Sequence, residues 1–359
     1  MSFSQHQPRL AEFDLPLVEL EAYRPERREP SDFDAFWADA LAESASHPVD
    51  ATITPIDTPL TAVQAFDVQF AGYGGDAIHG WLLRAPDARP GGPCVVLFIG
   101  YGGGRGHPLD HLAWPSVGYT TLVVETRGQG ATAFGGTTID PHCSHPHVPG
   151  WLTQGIRDPA SYYYRRVFVD AVRAVEVARA HPMIAADRVA AVGTSQGGGI
   201  AVALAGLVEL DAVVANVPFG SNFERAIRIT DEPPYSEVAS YLRLYRDEHA
   251  RVLQTLSYFD GMSFAARASA PALMSVGLMD RVTPPSTVFA AYNHYAGPRR
   301  MRVWPFNGHE GGETDSQLDA IAFLGGVFAA ADEQGAEDPS PLTAPSTLDL
   351  AVDGARPPR

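Results

Sequence analysis

Apolar positions along the chain follow two alternating rhythms. Residues 94–99 (CVVLFI) form a short unbroken apolar run, the pattern of a strand buried on both faces. Residues 121–124, 189–192, 212–217 and 272–276 repeat it, and 301–304 is a weaker version. Between these runs the apolar spacing becomes helical. Residues 161–180 carry Val167, Val172, Val175 and Val177, a second stretch runs on from Ser195 through IAVALAGL, and a third covers 285–295. Strand and helix in alternation predict a parallel sheet with helices on both faces. Ahead of it, strand-like 65–71 and 78–84 flank Gly72, Gly74 and Gly75, which predicts an antiparallel hairpin at one edge.

The remaining segments break the rhythm. Residues 1–30 are mixed and punctuated by proline, as in a segment that wraps a surface. Ser31 is the expected cap of a helix whose apolar face is Phe33, Phe36, Trp37 and Leu41. Residues 219–269 hold helical stretches and aromatics with few strand signals, and are expected to cover the carboxyl edge of the sheet, where ligands bind. Proline, serine and acidic residues dominate from 334 to 359, so a flexible tail is expected there. The organisation expected is a single domain over 1–333, with an N-terminal extension over 1–45 and the helical insertion within it.

Composition narrows the partners. The chain has 359 residues and a formal net charge of −16, and every basic residue is arginine. Phosphate backbones repel such a surface, so nucleic acid is not an expected partner. The opening MSFSQHQPRL has no long apolar stretch and no segment reaches the roughly 18 apolar residues of a membrane span, so no membrane association is expected and cytoplasmic is the default reading. Two cysteines make no disulfide framework; Cys94 reads as a core thiol.

One constellation carries chemistry. Gly193-Thr194-Ser195-Gln196-Gly197 matches G-x-S-x-G between strand VAAV and a glycine-rich helix start, the strand–turn–helix setting of a nucleophile elbow. A serine hydroxyl needs a base. In the α/β-hydrolase fold the chain order is serine, acid, histidine. Asp280 follows the strand ALMSV and His309 follows MRVW, both at strand ends. His294, inside a helical pattern, and Asp260, within the insertion, fit less well. Oxyanion donors are expected at the backbone N–H of Gln196 and in the loop Gly100-Tyr101-Gly102-Gly103-Gly104, where Tyr101 is assigned. The predicted chemistry is a Ser-His-Asp acyl-enzyme mechanism that needs neither metal nor cofactor.

The chain resembles the acetyl xylan esterases and cephalosporin C deacetylases of carbohydrate esterase family 7. The resemblance runs from PSDFDAFW at residue 30 to about Leu324. It rests on Arg127-Gly128-Gln129, the 193–197 motif and His309-Glu310, and on longer stretches such as GYGGGRGHPLDHLAWPSVGY and VGLMDRVTPPSTVFAAYN. It implies the triad Ser195, Asp280 and His309 with Tyr101 and Gln196 as oxyanion donors. It further implies removal of acetyl groups from xylo-oligosaccharides or cephalosporin C, and an intracellular hexamer. Thr283 stands where the family often has cysteine and is expected to stay clear of the chemistry.

Other clusters read as structural. Arg127, after strand TLVV, is expected as an internal ion-pair anchor, and Gln129 beside it as a residue that could shape the site. His142-Cys143-Ser144-His145-Pro146-His147 contains metal-type ligands but has no partner cluster, and His107, Asp110 and His111 are a weaker set, so no metal is assigned. The alternative function on the same fold is cleavage of another bond, as by a peptidase or a dienelactone-type hydrolase.

Overall fold

The computed structural model describes residues 11–143, 147–334 and 347–350. In chain order the first elements are α1 (Leu17–Ala22), α2 (Phe33–Ala45), β1 (Thr52–Pro55), β2 (Gln64–Ala71), β3 (Ala77–Arg84) and β4 (Cys94–Phe98). Then come α3 (Ala113–Ser116), β5 (Thr120–Val124), α4 (Tyr163–Ala180), β6 (Val189–Thr194), α5 (Gln196–Leu207) and β7 (Ala212–Asn216). Four helices follow: α6 (Phe223–Ile229), α7 (Tyr235–Leu244), α8 (His249–Ser257) and α9 (Gly261–Ala265). The chain continues with β8 (Ala272–Gly277), α10 (Pro285–His294), β9 (Arg299–Trp304), α11 (Glu313–Gln334) and β10 (Thr347–Leu350).

Among the described residues ten strands form one sheet in the order β1-β2-β3-β5-β4-β6-β7-β8-β9-β10. The first three strands and the β3–β5 pair are antiparallel, and every pair from β5 to β10 is parallel. The runs are predominantly apolar because both faces are covered. Along β6, Val189 and Ala191 pack into the core that holds α4, α5 and α10, while Ala190 and Val192 pack with Leu324 and Phe328 of α11. The side chains alternate faces with period two, and burial on both sides leaves few polar positions. The Cys94 thiol sits in this core, where burial pushes its pKa up to about 12.

The structure differs from the sequence reading at three points. Ser31 does not cap α2; Asp32 is the N-cap residue, and its carboxylate accepts from the Tyr258 hydroxyl at 2.7 Å instead of bonding a helix N–H. Helix α11 was not anticipated as an element. It starts at Glu313 in a left-handed conformation (φ 44°) and carries Gly325 and Gly326 in its interior, both of which weaken the helical signal. Residues 347–350, expected within a flexible tail, pair in parallel with β9 from Thr347–Arg300 to Leu350–Val303. The T-L-D-L alternation suits an edge strand, and β9 offers its outer edge. Residues 335–346 and 351–359 of that expected tail lie outside the described residues.

Candidate active site

The sheet register gathers the predicted residues at one edge. Phe98 of β4 pairs with Gly193 of β6, so the loop after β4 and the turn after β6 leave the sheet side by side. Thr194 pairs with Asn216, Asn216 with Ser275, and Gly277 with Trp304, which brings the ends of β7, β8 and β9 into the same row. Asp280 lies three residues beyond β8 and His309 five beyond β9.

Ser195 occupies the turn between β6 and α5 with φ 58° and ψ −119°, a backbone region that L residues rarely adopt. Its N–H donates to the Asn216 carbonyl at 2.9 Å, and its carbonyl accepts from Gly199 and Phe219, each at 3.0 Å. Those bonds hold the strain in place. The flanking glycines are required by close approach. A Cβ on Gly193 would strike the Gly197 backbone, and one on Gly197 would strike the carbonyl of Phe98.

Ser195, His309 and Asp280 form a continuous hydrogen-bonded chain. His309 Nε2 lies 2.8 Å from Ser195 Oγ, and Nδ1 lies 2.9 Å from Asp280 Oδ2. Asp280 is fully buried while the His309 side chain is 31% exposed, so the chain runs from the interior to the cavity surface. The carboxylate accepts two further bonds at Oδ1, from the N–H groups of Val282 (2.8 Å) and Thr283 (3.0 Å). Thr283 Oγ1 is 2.7 Å from Oδ2. This corrects the expectation that Thr283 stands clear of the chemistry: the Asp-x-x-Thr spacing folds the hydroxyl back onto the carboxylate. The loop carrying His309 is fastened by Glu310, which accepts from Gly308 N–H at 3.0 Å and from Asn307 Nδ2 at 3.0 Å. Burial would raise the Glu310 pKa, but those donors outweigh it and hold the carboxyl below its usual value.

Tyr101 lines the same cavity as Ser195, and Gln196 follows the serine in the chain. Gln196 opens α5, whose N-terminal N–H groups and dipole favour negative charge beside Ser195. Its buried amide joins a small network. Gln196 Oε1 accepts from Gln129 Nε2 and from the Tyr164 hydroxyl, each at 2.9 Å, and Gln129 Oε1 accepts from Gly102 N–H at 2.7 Å. Gln129 therefore ties the loop after β4 to the start of α5. Arg127 is the expected internal anchor. It is fully buried, its Nε and Nη2 reach Asp170 at 2.6 and 2.7 Å, and Nη1 reaches Asp76 at 2.8 Å.

A cavity of about 730 Å³ opens on Ser195 and His309. Its walls are largely apolar and include Ile99, Phe134 and Val282 together with Pro233 and Pro234 from the 219–269 segment. That segment is also tied to the site by Glu237 of α7, which lies 2.8 Å from the Tyr101 hydroxyl. No sequence signal marked Glu237; its partner is 136 residues away. Burial, then the neighbouring carboxylate, pushes the Tyr101 pKa up, and burial raises that of Glu237.

The demoted candidates have structural partners. His294 Nε2 bonds the Pro25 carbonyl, and Asp260 caps α9 through Met262 N–H. His107 Nδ1 accepts from the Leu109 N–H and the Asp110 carboxylate accepts from the His107 N–H, which caps a short helical turn. His142 lies 3.1 Å from Asp76, while residues 144–146 of the His-rich loop lie outside the described residues. Among the described residues no helix is long and apolar enough to cross a membrane.

A strained serine at a strand–helix turn, followed in the chain by an acid and a histidine on the carboxyl edge of a mostly parallel sheet, defines an α/β-hydrolase. Within that class the chain belongs to the acetyl xylan esterase (AXE1) family, whose model matches residues 10–326. An acetyl xylan esterase from a Paenibacillus species is 38% identical, with a TM-score of 0.80 over 88% of this chain and 99% of that one. An acetyl xylan esterase from a Thermoanaerobacterium species is 31% identical, also with a TM-score of 0.80, over 88% of this chain and 100% of that one. An acetyl esterase of Xylanibacter ruminicola is 27% identical over 80% of this chain, which spans 65% of that relative's length.

Proposed function

We propose that the protein is a serine carboxylesterase that removes acetyl groups from acetylated carbohydrates, xylo-oligosaccharides in particular. The observation that carries this is the unbroken Ser195–His309–Asp280 hydrogen-bonded chain at the mouth of an apolar cavity. The family and its two solved relatives named acetyl xylan esterases supply the acyl group and the substrate class.

In this reading His309 Nε2 takes the Ser195 proton as Oγ attacks the acetyl carbonyl. The developing oxyanion is held by the N–H groups of Tyr101 and Gln196, each such donor being worth about 10²–10³ in rate. Asp280 keeps the imidazole in the tautomer with Nδ1 protonated and stabilises it once charged. His309 then gives its proton to the leaving sugar oxygen, and a water repeats the cycle on the acetyl-enzyme to release acetate.

Cephalosporin C, an acetyl ester of a different alcohol, is a second substrate on the same logic, supported by the family resemblance alone. That resemblance also supports a hexamer, and two free cysteines suit a reducing, cytoplasmic setting. The decisive experiment is Ser195→Ala assayed on a small aryl acetate, acetylated xylo-oligosaccharides and cephalosporin C, beside amide and lactone substrates. Loss of all acetate release is expected. Retained turnover would sink the assignment, and amide or lactone cleavage by the native protein at rates rivalling the acetates would favour the peptidase or dienelactone-type alternative.

A further inference from the structure

We propose that Thr283 is a positioning residue for this reaction, its hydroxyl fixing the Asp280 carboxylate and setting the basicity of His309. The inference rests on the esterase reading above. Thr283 is fully buried, and its Oγ1 is 2.7 Å from Asp280 Oδ2, the same oxygen that His309 Nδ1 reaches at 2.9 Å. Oγ1 also lies 3.2 Å from the Val217 carbonyl and 3.4 Å from His309 Nδ1.

A hydroxyl has one proton to give. Were it given to Val217, Oγ1 and an ionised carboxylate oxygen would face each other at 2.7 Å as two acceptors, which repel. The proton therefore goes to Oδ2, and that oxygen accepts from both Thr283 and His309. The Thr283 N–H on Oδ1 completes a two-point grip that fixes the carboxylate plane. The hydroxyl also draws charge from the oxygen that faces the imidazole. Without it Oδ2 becomes a stronger base and the imidazolium gains stability.

The other charged group beside His309 is Glu310, whose carboxylate is turned to Gly308 and Asn307. Arg281, next to Asp280, points out to Asp231 at 3.5 Å. His111, elsewhere on the cavity wall, is bonded to the Arg105 carbonyl and biased toward its neutral form by burial. None of these contacts depends on the Thr283 side chain.

The test is the pH profile of kcat/KM for aryl acetate hydrolysis by Thr283→Val, which keeps the shape and removes the hydroxyl. The acid limb is expected to move up by about half to one pH unit, and kcat to fall roughly tenfold with KM little changed. Thr283→Ser, which restores the hydroxyl, is expected to return the limb to its native position. Should the valine variant not fold, Thr283→Cys supplies a weaker donor and is expected to move the limb in the same direction by less. A folded valine variant with the native limb and kcat overturns the proposal, as does a serine variant that behaves like valine, or a cysteine variant with the native limb. These outcomes differ from failure of the esterase reading, in which Ser195→Ala would stay active.

Discussion

The Tyr101 hydroxyl lies 2.8 Å from both carboxylate oxygens of Glu237, joining the loop after β4 to helix α7 of the segment above the site. Leu152 N–H points at the same pair, 3.2 Å from the hydroxyl and 3.3 Å from Oε2. Three segments far apart in sequence thus meet at one half-buried carboxylate. Glu237→Ala leaves the Tyr101 hydroxyl and the Leu152 N–H without that acceptor, at a cost of about 1–3 kcal/mol. We expect a lower melting temperature and about a tenfold loss in kcat/KM as the loop bearing the Tyr101 N–H loosens. Glu237→Gln keeps an acceptor for both groups and is expected to stay within a few-fold of native. Equal losses in the two variants would show that the carboxylate charge, not the hydrogen bonding, ties the segments together.

The glycine in position 197 predicts the opposite outcome from one in α11. Alanine at 197 places its Cβ on the Phe98 carbonyl, so β4 and the elbow must part. Gly197→Ala is expected to cost at least about 1–3 kcal/mol and to remove most esterase activity. Gly326 is exposed, in ordinary helical conformation, and a Cβ there meets nothing within 4 Å. Gly326→Ala is expected to raise stability by about 0.5–1 kcal/mol and leave activity alone. Thermal melts of both beside the native protein check the contrast; a neutral Gly197→Ala would mean that the close approach is not rigid.

Ser195, Asp280 and His309 stand out in the sequence because all three sit just past apolar runs whose order along the chain is itself informative. The runs were legible because burial on both faces leaves few polar residues in them, Thr121, Asn216 and Ser275 among the exceptions. Local signals failed where tertiary contacts decide. Asp32 takes the cap position but spends its carboxylate on Tyr258, 226 residues away, so the Ser31 pattern misled. Glu237 carries no motif and acquires its place only when α7 meets the loop after β4; Thr283 reaches Asp280 within its own loop, three residues on, a spacing with no motif to mark it. Gln129 was flagged in a three-residue signature, yet its bond to Gly102 N–H depends on the β4–β5 pairing that no periodicity reveals.

Arg127 and Asp170 make a buried bidentate pair, and breaking it from one side should be severe. Burial raises the Asp170 pKa, with Arg127 opposing that rise. Arg127→Met keeps bulk but leaves Asp170 facing only the Tyr73 N–H at 2.8 Å. Removal of one partner from a buried pair costs about 3–5 kcal/mol. Arg127→Lys cannot reproduce the planar two-point contact and is expected to fall between native and Met. Denaturant unfolding monitored by tryptophan fluorescence measures the order native, Lys, Met. Should the Met variant match native stability, Arg127 serves something other than the ion pair.

Asp260 predicts a pH dependence of stability whose sign is fixed by burial. The carboxylate accepts N–H bonds from Asn222 (3.0 Å), Phe223 (3.2 Å) and Met262 (3.0 Å), yet it is largely withdrawn from solvent, and burial raises its pKa from 3.8 to about 6. A carboxyl group that is a weaker acid in the folded state favours folding while it is protonated. That contribution is complete below pH 3.8 and is lost as pH rises to about 6, a change of at most about 3 kcal/mol because the residue keeps some contact with solvent. Asp260→Asn is always neutral and gives up one bond, since its amide nitrogen faces an N–H. The variant should therefore be less stable than native, or equal to it, near pH 4. It should gain on native steadily up to pH 6, and hold a constant difference above that. Chemical denaturation of both proteins from pH 4 to 8 tests this. Two stability curves that run parallel through pH 4–6 would show that Asp260 ionises in the fold as readily as in water.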